Sequence, residues 1–397
     1  MKLIHTLSIA LLAVAAILLG ACNKTYEPDG PNGGEGKLQL RFGAEDLVQR
    51  DTRGIATPAE NHVDKVDVVF FQGQNKKPIT PNSGGAAAGY FHFESGQVGD
   101  WLNNDPSTQT VYLPVKAADV NGLTAITLLN LPDAVRSRLA VGATDEITTL
   151  DQLQKAVSQT IATVNDLSTP LLMTGTKAVN FANPNTQDNK IEVSVKRAVS
   201  RFDVVLYYNW DKLIPNQQKG LYTYKDFPGK TYVGVNDDIT SRVDGAKTQI
   251  ADLTAQPAPL TPADPVPTSA LPTVYVNEYD ITGKTPADAP APYILLELPA
   301  KLGDGNPLAG IFPPPAGGDF SNDAVKCYYK VLLPRKIDRN CRYVLHAHVV
   351  GPGSPSPDNA VVLEFKMTVK KWDAVTVPGY YGDDQIVERL DRKSTRR

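Results

Sequence analysis

The stretch IEVSVKRAVSRFDVVLYY, residues 191–208, is the strongest β signal in the chain. It reads as two apolar strands interrupted by the basic cluster Lys196, Arg197 and Arg201. A chain boundary is placed there, near Ser194 to Ser200, which divides the protein into a first domain over 54–194 and a second over 195–397. The three cations read as a solvated strand edge. The competing reading is a patch that binds a partner.

Working outward, both sides of this boundary are built from short strands. Before it, His62 to Phe71 places Val66, Val68 and Phe70 on one face, the period-2 pattern of a strand against a core. Thr110–Val115 and Leu123–Leu129 read as further strands, and Leu171-Leu172-Met173-Thr174 as a short buried run. One helix is expected over Thr148 to Asn165. Leu150, Leu153, Val157 and Ile161 recur at helical spacing, and Thr149 with Gln152 forms a capping-box pattern. After the boundary, Thr273–Val276, Tyr293–Leu298, Tyr328–Leu333, Arg342–Val350 and Val361–Lys371 read as strands. Proline-rich insertions separate the first three of these. The 30 glycines and 31 prolines suit a turn-rich all-β chain. Both halves read as β-sandwiches of short strands.

The 397 residues allow two domains of ordinary size, and a formal net charge of −3 leaves no basic footprint for nucleic acid. The N-terminus is a secretory signal. Lys2 supplies its positive end and Leu7 to Leu19 its apolar core, too short and wrongly flanked to span a membrane. It ends Leu19-Gly20-Ala21-Cys22, which matches the bacterial lipobox, so Cys22 is expected to carry lipid and residues 1–22 to be removed or modified as the signal. Residues 23–53 are a Gly/Pro-rich tether followed by one short strand. Leu38, Leu40 and Phe42 fall on one face of it and Lys37, Gln39 and Arg41 on the other. Arg50-Asp51-Thr52-Arg53 then reads as exposed loop, a place for a protease to cut. A lipid site, a strand and a cleavage site within 35 residues describe a strand that is delivered with the protein and can later be released.

No catalytic reading gains support. The five histidines include His346 and His348, two residues apart on one strand, a spacing a metal can use. No carboxylate or cysteine completes the set, and both are expected to be exposed or hydrogen-bonded at an edge. There is no nucleophile elbow, zinc-protease, P-loop or dinucleotide fingerprint. No cofactor or metal is expected. Cys327 and Cys341 are expected to stay unbridged. If Tyr328–Leu333 and Arg342–Val350 form an antiparallel hairpin, the two thiols start opposite ends of it, on the order of 20 Å apart. A disulfide needs Cα atoms within about 7 Å.

These residues, in this order, resemble the fimbrillins, the FimA-type fimbrial subunits of Bacteroidales bacteria. The lipobox Cys22 is followed by a strand and Arg53, then by the strand Val63–Phe71. Thr148–Val157 looks like the family's small helix, and Leu171–Thr174 like the strand beyond it. Val195–Arg201 is similar to the basic strand that opens the family's second domain. The most specific stretch runs from Lys336-Ile337-Asp338-Arg339-Asn340-Cys341-Arg342-Tyr343 through Gly351-Pro352-Gly353 to Lys370-Lys371-Trp372. The resemblance implies two transthyretin-like β-sandwich domains in tandem, with one small helix in the first. It also implies delivery to the outer membrane as a lipoprotein, cutting of the N-terminal strand by an arginine-specific protease, and assembly with copies of itself or related subunits into a surface fimbria. Here the chain departs by carrying a charged tail beyond Trp372.

On that reading Arg53-Gly54 is the first choice for the cut and Arg50-Asp51 the second. The strand that refills the vacated groove is sought near the C-terminus, at Trp372, Val375 and Val377, with Ile386, Val387 and Leu390 as a second candidate. Two other functions fit the same features less fully. One is an unprocessed, lipid-anchored fimbrial anchor. The other is a monomeric surface lipoprotein that binds a glycan or host protein through its loops.

Overall fold

The computed structural model describes residues 57, 59–94, 111–184, 188–208, 212, 220–235, 240–250, 254–255, 271–303, 307–312, 324–349, 351–363, 365–371 and 375–381, together with a strand at 37–40. The chain is all-β with short helices. In the first half the strands are β1 (Lys37–Leu40), β2 (Lys65–Gln72), β3 (Phe91–Glu94), β4 (Val111–Leu113), β5 (Thr124–Leu129), β6 (Val157–Thr160), β7 (Met173–Ala178) and β8 (Asp188–Arg197). Three helices of four or five residues interrupt them: α1 (Ala117–Val120), α2 (Asp133–Arg136) and α3 (Leu150–Gln154).

The second half contributes β9 (Val199–Tyr208), β10 (Leu221–Lys225), β11 (Lys230–Tyr232), β12 (Val274–Asn277), β13 (Tyr293–Ala300), β14 (Val325–Leu332) and β15 (Cys341–Val349). It continues through β16 (Val361–Val362) and β17 (Phe365–Lys371) to β18 (Val375–Tyr381).

A nine-stranded sheet forms the first half. It runs Asn75–Lys76, β2, β5, β7, β8, β1, β18, β4, with β3 also on β2. The sheet curls, because Val111 and Leu113 from one end share a core with Val66, Val68, Phe70 and Phe91 from the other. On the opposite face of β2, Val69 and Phe71 pack with Leu139, Ile147 and Leu153 from the helical segment. β2 is therefore apolar on both faces, not only the face that alternation marks. In the second half two five-stranded sheets face each other. β9, β12, β15 and β17 belong to one and β10, β13, β14 and β16 to the other. Phe202, Tyr343 and Leu345 meet Tyr222, Leu296 and Tyr329 in the core between them.

Three expectations change. The helix over Thr148–Asn165 is only α3. Its capping box forms as read, with the Gln152 amide donating to Thr149 Oγ1 at 3.2 Å. Val157 then leaves the helix to start β6, which pairs with β11 from the second half. A partner some 70 positions away thus overrides local spacing, and β-branched Val157 suits a strand. The supposed hairpin does not form either. β14 pairs with β13 while β15 pairs with β9, so the two strands lie in facing sheets. Cys327 and Cys341 are both buried and are not bridged to each other, and burial pushes the Cys327 thiol up to about 11. Finally, Val361–Lys371 is two strands. β16 joins β14, Leu363 enters the core, and β17 joins β15.

Candidate assembly site

Strand β8 is the element on which the chain's two ends converge. Ile191, Val193 and Val195 point into the first core. One side of β8 is held by β7, from Met173↔Arg197 to Gly175↔Val195. Gly175 permits that approach, since a Cβ there would lie 2.4 Å from the Ser194 carbonyl oxygen. Along β8 runs β18, antiparallel, from Val375↔Val195 to Tyr380↔Lys190. β1 enters where the start of β8 meets the end of β18. It is parallel to β8, Lys37↔Asp188 to Leu40↔Ile191, and antiparallel to β18, Leu38↔Tyr381 to Leu40↔Gly379.

The expected strand residues Leu38 and Leu40 thus lie in β1, and the expected donor residues Val375 and Val377 lie in β18. Cys22, Phe42, Arg50, Arg53, Trp372, Ile386, Val387 and Leu390 lie outside the described residues.

The junction between the halves is polar and buried, which corrects the reading of the basic cluster. Of its three cations only Lys196 is exposed. Arg197 is 1% exposed. Its Nε donates to the Glu60 carbonyl at 3.1 Å, and its terminal nitrogens donate to Asn340 Oδ1, at 3.2 Å, and to Asn61 Oδ1. Glu60, 0% exposed, accepts at Oε1 from Arg201 Nη1 at 3.1 Å and from the Tyr275 hydroxyl at 3.0 Å. Its Oε2 accepts from the Thr57 amide at 2.6 Å. Arg201 also forks onto Asp203, which accepts from Arg342 Nε at 2.6 Å and Thr273 Oγ1 at 2.6 Å. Burial pushes the Asp203 carboxyl up, but the hydrogen bonds from Arg201, Thr273 and Arg342 outweigh it and hold the group below the usual carboxylate range. A buried charge persists only when paired and hydrogen-bonded.

Residues 57–61, just after the expected cut, are thereby tied to the second half. Sequence reading missed Glu60. Its one signal was Thr57-x-x-Glu60, a capping-box pattern in a polar stretch.

A second polar cluster lies on β2 and β3. His92 Nδ1 is 2.8 Å from Asp67 Oδ1 and its Nε2 is 2.8 Å from Glu94 Oε1, with Arg136 against the ring. Because each carboxylate uses a different ring nitrogen, the three groups share no point for a cation. Asp67 is 0% exposed, and burial pushes its carboxyl up to about 6, against the lowering effect of His92 and Arg136. A folded-state value above the unfolded one penalises the ionised form. The penalty is absent below about pH 4 and complete above about pH 6. Asp67→Asn is therefore expected to remove a loss of stability, on the order of 2–3 kcal/mol, that the wild type shows as pH rises from 4 to 7. Urea unfolding at both pH values, with His92→Gln as the control for imidazole titration, checks this. Parallel pH curves for wild type and Asp67→Asn would count against it.

His346, expected to be exposed or hydrogen-bonded at an edge, is buried on β15 between β9 and β17, with its Nδ1 3.3 Å from the Tyr207 hydroxyl. Its ring stacks on Tyr207 with centroids 5.9 Å apart. Among the described residues no group of histidine, cysteine, aspartate and glutamate side chains is arranged to hold a metal. None of their helices is long and apolar enough to cross a membrane.

The same architecture occurs in solved structures. A candidate cell adhesion protein from Parabacteroides distasonis ATCC 8503 superposes with a TM-score of 0.51 at 14% identity, covering 86% of this chain and 97% of that one. A candidate cell adhesion protein from Bacteroides eggerthii DSM 20697 gives 0.50 at 12% identity, over 90% and 100%. This chain has their fold. A fimbrilin (fimA) from Porphyromonas gingivalis W83 gives 0.49 at 15% identity, over 86% and 99%. No protein-family model and no curated protein matches the sequence.

Proposed function

We propose that this chain is a structural, non-enzymatic subunit of a surface fimbria that supports adhesion. It is delivered as a lipoprotein on Cys22, cut after Arg53 or Arg50, and polymerised by exchange of a strand between subunits. One observation carries the reading: β18 leaves the second half and adds to β8 of the first half, at the place where β1 also pairs. A strand upstream of a cleavable loop and a strand at the other end of the chain share one acceptor.

The chemistry follows from that sharing. While β1 is covalently attached it occupies the start of β8. Once cut free it is held only non-covalently, by ladder hydrogen bonds each worth a net ~0.5–1.5 kcal/mol. Its departure leaves an unpaired edge, which recruits another strand. β18 sits in cis here, which is the resting form. The same strand placed on a neighbour's β8 makes a head-to-tail contact that does not close, and a filament grows. Partners on this reading are further copies or related subunits, an arginine-specific protease, outer-membrane lipid before processing and a host surface ligand. The site of action is the outer membrane and then the extracellular fimbria.

Arg53→Ala combined with Arg50→Ala is expected to leave the precursor uncut and to lower fibre mass at least roughly tenfold, the direction the loss of an open edge dictates. N-terminal sequencing of purified fibres is the direct check. A wild-type fibre whose subunits begin at Cys22 would sink the proposal.

A further inference from the structure

Arginine and lysine are distributed differently over this fold. Between Arg53 and Arg389 the sequence has eight arginines, and all eight lie in described segments. None is exposed, whereas Lys116, Lys155, Lys247 and Lys301, all outside the strands, are. Every one of the eight donates to a fixed acceptor. Arg197, Arg201 and Arg342 belong to the junction around Glu60 and Asp203. Arg136 pairs with Asp133 at 2.7 Å, and Arg138 Nε donates to the Asp145 carbonyl at 3.0 Å. Arg242 donates to the Asp226 carbonyl at 2.5 Å, and Arg335 to the Ile281 carbonyl at 2.7 Å. Arg339 reaches Glu278 Oε1 at 2.8 Å and the Val233 carbonyl at 3.1 Å.

An endopeptidase must draw the residue before the scissile bond into a pocket, with its neighbours extended and lifted out of the fold. Segments tied by backbone and side-chain hydrogen bonds open only at the cost of local unfolding, while exposed loops do so freely. Arg197, Arg201 and Arg342 lie inside paired strands, where lifting out one residue breaks a ladder. The remaining arginines of the sequence, Arg41, Arg50 and Arg53 on one side and Arg389, Arg392, Arg396 and Arg397 on the other, lie outside the described body.

We infer that the placement of arginine makes the folded body inert to an arginine-directed endopeptidase, so that such an enzyme acts only before Thr57 and after Tyr381. The Glu60 junction is where cutting from the N-terminal side stops. This inference rests on the processing reading for its purpose, but not for its test. Cationic surface charge that solubility requires is carried by lysine, which the enzyme ignores.

The full chain is incubated with an arginine-specific and, separately, with a lysine-specific endopeptidase at matched activity. Fragments are identified by mass and N-terminal sequence. The expected result is loss of terminal segments only with the first enzyme and internal fragments with the second. Ala86→Arg places an arginine in the exposed run 83–87, away from the strands. It is expected to create an internal cut at least ten times faster than any at a native internal arginine. Internal cleavage of the wild type at Arg138 or Arg335 keeping pace with the termini overturns the inference. So does an Ala86→Arg chain that stays whole, or a body that resists the lysine-specific enzyme equally. A body left intact while the bonds after Arg50 and Arg53 also stay intact supports the inference and counts against the processing reading, so the two fail separately.

Discussion

Truncation after Lys371 is expected to give a subunit that folds and is cut but forms no fibres, with a loss of fibre mass of at least roughly tenfold. The deletion removes β18, whose register spans Val375↔Val195 to Tyr380↔Lys190, and leaves β17 and the second core in place. Each inter-strand hydrogen bond lost is worth ~0.5–1.5 kcal/mol, so six paired positions amount to several kcal/mol per contact. Circular dichroism checks folding and sedimentation checks assembly. Val193→Asp attacks the same contact from the acceptor side by placing a charge in the core beneath it. Adding this variant to growing wild-type fibres is expected to stop elongation, because its intact β18 still enters the last open β8 while its own β8 takes no donor. Fibres that form normally from the truncated subunit would remove β18 from the mechanism.

Glu60→Ala is expected to destabilise the folded chain by roughly 3–5 kcal/mol, the cost of stripping one partner from a buried ion pair. Arg201 Nη1, the Tyr275 hydroxyl and the Thr57 amide all lose their acceptor at once. Tyr275→Phe removes only one of the three donors and is expected to cost about 1 kcal/mol. Because Glu60 belongs to the segment before β2 and its partners to β9 and β12, the loss is also one of coupling. Calorimetry should show one unfolding transition in the wild type and two in Glu60→Ala. A single transition at an unchanged midpoint would show that the junction does not join the halves.

What could be read in advance was whatever depends on neighbours in sequence. Val66, Val68 and Phe70 alternate and share a core, and Thr149 caps α3 through Gln152. The run 191–208 is two strands separated by Ala198, which accounts for its strength as a signal. The failures all depend on partners far along the chain. Val157 looks helical beside Leu153 but pairs across to β11. Arg197 and Arg201 look solvated because a charge in a strand usually is. Their acceptors at Glu60, Asn61 and Asn340 lie more than 130 positions away. β14 and β15 follow one another across a short turn and still enter opposite sheets, a choice made by β13 and β9. The meeting of β1 and β18 on β8 was legible only as two apolar segments at the chain's ends. Nothing local says that they share an acceptor.

The passage from β8 to β9 through Ala198 gives the subunit a particular response to pulling. The chain crosses between the halves there within one nearly continuous strand, and crosses back from β17 to β18 on an antiparallel course. Tension applied along this axis runs through covalent backbone at both crossings. At the β8–β18 contact both covalent connections, from β8 at Arg197 and to β18 at Val375, leave at the same end of the pair, so the load opens the register as a zipper, from Val375↔Val195 first to Tyr380↔Lys190 last. On the fimbrial proposal, a thread made of such joints yields in steps, one paired position after another, and a tether of this kind pays out before it parts.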